Sequence, residues 1–196
     1  MSQQLIDVPD CIPQLHSKWG KKVGVWLMKK TGWSIVGKFP AQPKMVMAVA
    51  PHTSNWDFLV GVMCKMALDV KLNFLGKHTL FVGPLGSWLR SLGGIAVDRR
   101  SAHGVVGQMV EEFARHDNLI LALAPEGTRS KVTKWKSGFL QIAKQAKVPV
   151  FPIQFNFAKK QIEFMPIRYI DGDIEQELSD FIRLFDKNSA KNPQLF

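Results

Sequence analysis

The chain has 196 residues, of which 46% are hydrophobic and 21% charged, with a formal net charge of +10. That length and composition suit one domain able to bury a core. The charge calls for an anionic partner, whether nucleic acid, an anionic membrane surface or a phosphorylated substrate. Two distant cysteines, Cys11 and Cys64, and no secretory signal argue against a disulfide framework and for a reducing compartment. No apolar run reaches the ~18 residues that a transmembrane helix needs.

In chain order, a helical pattern is expected over 15–33. Leu15, Trp19, Val23, Trp26 and Trp33 form one stripe, with Lys18, Lys21 and Lys29 opposite and Lys22 and Lys30 near its edge. Tryptophan with lysine on one helix suits a bilayer interface, whereas a helix packed on the domain would put the tryptophans in the core; both can hold along different parts of it. Buried strands are expected at 45–50, 72–75, 95–97, 119–124 and 150–157, with a final one at 161–165. Helices are expected at 56–68, 85–92, 104–115, 138–147 and 174–185. Cys64, inside the first of these, reads as an inert buried thiol. The alternation predicts an α/β fold with a largely parallel sheet flanked by helices. The expected organisation is an amphipathic, membrane-associating segment over 1–37, a catalytic domain over 38–187 and a polar, frayed tail over 188–196.

Two polar clusters follow apolar strands, where open α/β sheets place their sites. The first is His52-Thr53-Ser54-Asn55-Trp56-Asp57. Histidine is the natural general base for an alcohol, and a carboxylate on its second nitrogen fixes the tautomer. Ser54 to Asp57 also fits a helix capping box, which would explain Ser54 and Asp57 but not His52. The second cluster is Pro125-Glu126-Gly127-Thr128-Arg129-Ser130, a glycine turn flanked by a carboxylate and a guanidinium. Between them, Gly93 to Arg100 reads as a short strand running into an arginine pair suited to phosphate, or into solvated loop charges. Lys77 follows another strand end and offers a further cation. Val148-Pro149-Val150-Phe151-Pro152 suits a strand beginning at a rim and an apolar wall.

These four blocks, in this order, resemble the glycerolipid acyltransferase family of the 1-acyl-sn-glycerol-3-phosphate (lysophosphatidic acid) acyltransferase type. His52 and Asp57 match its His-x4-Asp motif. Gly93 to Arg99 matches its glycine-rich strand ending in arginine, Glu126 to Ser130 its Glu-Gly-Thr-Arg-Ser, and Val148 to Pro152 its Val-Pro run. The blocks span about the middle half of the chain. The resemblance implies His52 as general base and Asp57 as its orienting partner. It implies Arg99 and Arg129 on the acceptor's phosphate, Glu126, Gly127 and Thr128 shaping that site, and Val148 and Pro149 lining the acyl or thioester region. Ala96, where bulkier residues are common, and Arg100 depart from the pattern.

The expected reaction is therefore acyl transfer from acyl-CoA or acyl carrier protein to a lysophospholipid hydroxyl, with lysophosphatidic acid as the default acceptor. A lyso-aminolipid is the alternative acceptor, and a non-catalytic basic domain for anionic lipid or nucleic acid is the alternative of another class. In the enzyme reading nucleic acid is not a partner, and the protein sits peripherally or monotopically on the cytoplasmic face of the cell membrane. No cofactor is expected, no metal-ligand spacing or P-loop stands out, and no Gly-x-Ser-x-Gly elbow suggests a serine hydrolase.

Overall fold

The computed structural model describes residues 6–98, 104–128, 131 and 134–196. Helix α1 (Lys18–Thr31) and strand β1 (Ser34–Val36) lead into β2 (Lys44–Ala50) and α2 (Asn55–Leu68). Strand β3 (Phe74–Lys77), a 3₁₀ turn (His78–Leu80), α3 (Gly83–Ser91) and β4 (Gly94–Val97) follow. Then come α4 (Gly104–Arg115), β5 (Leu119–Leu123), α5 (Gly138–Ala146), β6 (Val150–Asn156), β7 (Gln161–Phe164) and α6 (Ile174–Ile182).

The main sheet has the order β1-β7-β6-β2-β5, and β3 and β4 pair in parallel beside it. A parallel bridge from Asn73 to Leu121 ties that pair to the free edge of β5. Strands β2, β5, β6, β3 and β4 run the same way; β7 is antiparallel to β6 and β1 parallel to β7. The expected largely parallel α/β fold is thus present, with β1 as an additional short edge strand.

Each central strand is apolar on both sides, as a sheet covered by helices requires. On one side Met45, Met47, Ile120, Phe151 and Phe155 meet α1 and α2; on the other Val46, Ala48, Leu121 and Val150 meet α4, α5 and α6. Gly24 lets α1 lie against α2, because a Cβ there would come within 2.4 Å of the Ala67 backbone nitrogen. Cys64 is buried in this layer, and burial pushes its thiol up to about 12, so it is inert as expected.

Helix α1 divides the expected stripe between the two environments. Its buried face is Gly24 and Met28, and Trp33 lies in the core beyond its end. Trp19 and Trp26 are 81% and 60% exposed. On a 3.6-residue helix they share the outward face with Lys18, Lys22, Lys29 and Lys30. The stripe therefore belongs partly to the core and partly to the surface.

The tail is corrected: it does not fray. Ser189 and Ala190 are buried, Phe157 donates its backbone N–H to Ser189 O at 2.8 Å, and Asn192 bonds Thr53.

Candidate active site

Strand β2 ends at Ala50, and the chain turns through Pro51 to His52 before α2 begins. The capping box that the sequence suggested is formed. Ser54 Oγ accepts from Trp56 N–H at 3.1 Å, and Asp57 Oδ2 accepts from Ser54 N–H at 2.7 Å. Asp57 does not choose between capping and the histidine. The same Oδ2 lies 3.5 Å from His52 Nδ1, and the Asp57 side chain is wholly buried while that of His52 is 19% exposed. A carboxylate at Nδ1 favours the tautomer with its proton there and its basic lone pair on Nε2. Asp57 is fixed by Ser54, so the ring it orients is fixed to the first turn of α2.

The end of β5 brings the second cluster alongside, since β5 pairs with β2. Glu126 is 2% exposed, and its Oε1 accepts the backbone N–H of His52 at 2.8 Å. Burial, and the nearby negative charge of Asp57, push the Glu126 carboxyl up from 4.5 to about 7, although the His52 amide favours the ionised form. Glu126 thus holds the backbone of the histidine. The resemblance had given it to the acceptor site. Gly127 turns with φ +69° and closes a bond from its N–H to Ala124 O at 3.0 Å. Thr128 follows it, exposed.

Two partners of this site carried no signal that the sequence reading used. Lys136 lies over the glycine turn: a Cβ on Gly127 would sit 2.9 Å from its Nζ. Asn192 donates its backbone N–H to Thr53 Oγ1 at 3.1 Å and its side-chain N–H to Thr53 O at 3.0 Å, which pins the residue after His52. The run Lys131, Lys134, Lys136 could have drawn attention to Lys136; nothing local marks Asn192.

Other expected site residues fall differently. Lys77 is exposed at the end of β3, at the same end of the sheet but two strands from β2. Arg99, Arg100, Arg129 and Ser130 lie outside the described residues. Val148 and Pro149 are not brought to His52. They precede β6, which is parallel to β2 with Val150 beside Val46, so they lie at the far end of the sheet, roughly 25 Å away along the strand. There Val148 is core, and Pro149 O accepts Val46 N–H at 3.0 Å. Among the described residues no cluster of three or more His, Cys, Asp or Glu side chains could hold a metal ion.

A histidine–carboxylate pair on one strand end, braced by a second carboxylate from the next, is an arrangement able to accept a proton, and the sequence around it has a family. The Acyltransferase family model matches residues 35–156, and the chain belongs to that family. A search of curated proteins found no match. The fold is similar to the crystal structure of the 1-acyl-sn-glycerophosphate (LPA) acyltransferase PlsC from Thermotoga maritima. The TM-score is 0.53 at 20% identity, covering 85% of this chain and 76% of that one.

Proposed function

We propose that this protein is an O-acyltransferase of glycerolipid synthesis, moving a fatty acyl group from acyl-CoA or acyl carrier protein to the free hydroxyl of a lysophospholipid, lysophosphatidic acid first among them. The observation that carries the reading is the His52–Asp57 pair at 3.5 Å, joined through the His52 amide to buried Glu126. His52 Nε2 takes the acceptor's hydroxyl proton as its oxygen attacks the thioester carbonyl. The C–S bond then breaks, and the leaving thiolate takes the proton back from the imidazolium. Asp57 stabilises that imidazolium. The acceptor supplies its own nucleophile, so no acyl-enzyme is needed. Arg99 and Arg129 bind the acceptor's phosphate in this reading, and Lys77 and Lys136 add positive field at the same end of the sheet.

The reading includes peripheral attachment to the cytoplasmic face of the cell membrane through the outward face of α1. Trp19 and Trp26 are exposed there among four lysines, and each lysine near an anionic surface contributes about 1 kcal/mol, weakened by salt. No helix of the described residues is long and apolar enough to cross a membrane. The test is thiol release from an acyl thioester that depends on a lysophospholipid. Wild type releases CoA, and His52→Ala releases about 10²–10⁴-fold less with unchanged melting. A His52→Ala variant that keeps wild-type turnover removes the assignment.

A further inference from the structure

The surface is divided in a way that the catalytic reading does not use. Between Cys11 and Val97 eleven lysines and arginines face two carboxylates, Asp57 and Asp69, and both of these are buried. That half of the chain shows solvent no acidic side chain. The same half carries thirteen of the fifteen exposed large apolar side chains among the described residues. Single exposed apolar residues are ordinary, but such concentration along so basic a stretch is not.

Helix α1 accounts for some of these. Apart from Leu15 and Val36, the other eight gather on α2 and on α3 with its flanking residues. In α3, Leu85, Trp88 and Leu92, spaced i, i+3 and i+7, form one stripe just beyond and along the helix, and they are 52%, 56% and 39% exposed. An amphipathic helix normally turns this stripe to the core. Here α3 instead meets the core through Gly86, where a Cβ would come within 2.2 Å of the Phe81 backbone, so the apolar stripe faces water. Leu80 and Val82, before the helix, are 50% and 72% exposed. Lys65 of α2 donates to Leu92 O at 3.3 Å, so the stripe of α2 bearing Phe58, Val62 and Lys65 lies toward α3. Both segments start at the site end of the sheet, α2 after β2 and α3 after β3, so Phe58, Leu59, Leu80 and Val82 lie at the end that holds His52.

We infer that the outward face of α3, with the preceding 3₁₀ turn and the first turns of α2, is a second membrane-inserting surface, which enters the acyl region of an anionic bilayer at the site end. The inference deepens the proposed function, and rests on it only for the purpose of that contact. Charge complementarity selects the occupant: an apolar face rimmed by Lys65, Lys77 and Arg90, whose neighbouring acid Asp98 lies 3.7 Å from His78, fits anionic lipid. In this arrangement α1 holds the protein to the surface, and the α2–α3 face brings the mouth of the site down to the acceptor's glycerol.

The test uses the full chain with Cys11→Ser and a polarity-sensitive fluorophore on V82C; Cys64 is buried and does not label. Vesicles of phosphatidylcholine with phosphatidylglycerol should shift the probe to the blue, vesicles of phosphatidylcholine alone much less, and the same probe on D117C, exposed before β5 at the far end of the sheet, should not respond. Each of these large side chains contributes roughly a tenfold partition preference on leaving water. The triple variant V82S/L85S/W88S should therefore bind the anionic vesicles about 10²–10³-fold more weakly, while releasing CoA normally with a water-soluble short-chain acceptor. Equal binding by the triple variant, or an equal response from D117C, overturns the proposal. A blue shift that grows with protein concentration without vesicles also overturns it, and makes the face a contact between copies of the chain. If wild type releases no CoA with any acceptor but the V82C probe still shifts, the catalytic reading fails and the surface stands.

Discussion

Glu126 places an ionisable group where ionisation is costly, and the cost has a definite pH dependence. Its carboxyl is raised from 4.5 to about 7 in the folded protein. Between those values the folded state binds more protons than the unfolded one, so stability falls as pH rises and is lowest above about 7. Glu126→Gln removes the charge and keeps an oxygen able to accept the His52 N–H. Each unit of displacement is worth ~1.4 kcal/mol, so the variant's advantage over wild type should be under about 1 kcal/mol near pH 5 and about 3 kcal/mol near pH 8. With a urea m-value of about 2 kcal/mol per M, the gap between the two unfolding midpoints should widen by about 1 M across that range. Groups that titrate alike in both proteins cancel from the difference. A midpoint gap that stays constant with pH would refute the reasoning, because Glu126 would then be titrating as an ordinary carboxylate.

Three further outcomes follow from particular contacts. Asp57→Asn should cost about 1 kcal/mol of stability through the α2 cap and should also slow acyl transfer through His52; melting and turnover measured together separate the two, and a purely structural Asp57 would change only the first. Asn192→Ala keeps the backbone bond to Thr53 Oγ1 but leaves the buried Thr53 carbonyl without its side-chain donor, so a loss of about 1–3 kcal/mol is expected in chemical denaturation. Trp19→Ser with Trp26→Ser should weaken sedimentation with anionic vesicles without lowering the melting temperature. Deleting residues 1–33 would be a poorer experiment, because it strips Ile12, Met28 and Trp33 from the core.

The sequence made legible whatever is encoded by short-range pattern. Apolar runs found the six longer strands and the box from Ser54 to Asp57, because burial and capping act over a few residues. Strand β1 escaped, since Ser34-Ile35-Val36 is extended only through its pairing with Gln161-Ile162-Glu163, more than 120 residues away. The α1 stripe left its environment open because periodicity assigns residues to a face but not to an environment: Gly24, with no side chain to count, decides which face meets α2. Val148 and Pro149 misled for a related reason. A motif's place in the sequence does not say which end of a parallel strand it occupies, and theirs is the end away from His52. Of the site itself, the His52–Asp57 pair was readable, whereas the bond from Glu126 to the His52 amide is a product of the β2–β5 pairing.

That bond turns the His52 amide into a reporter. Its hydrogen points at a buried carboxylate contributed by a segment 74 residues away, and Thr53 beside it is held from a segment 139 residues away. Solvent deuterium reaches the His52 amide only when the ends of β2 and β5 part, a motion that dismantles the site. Its exchange rate therefore measures how often the resting protein is out of working order, and it should quicken when Glu126 is replaced by a side chain that cannot accept a hydrogen bond.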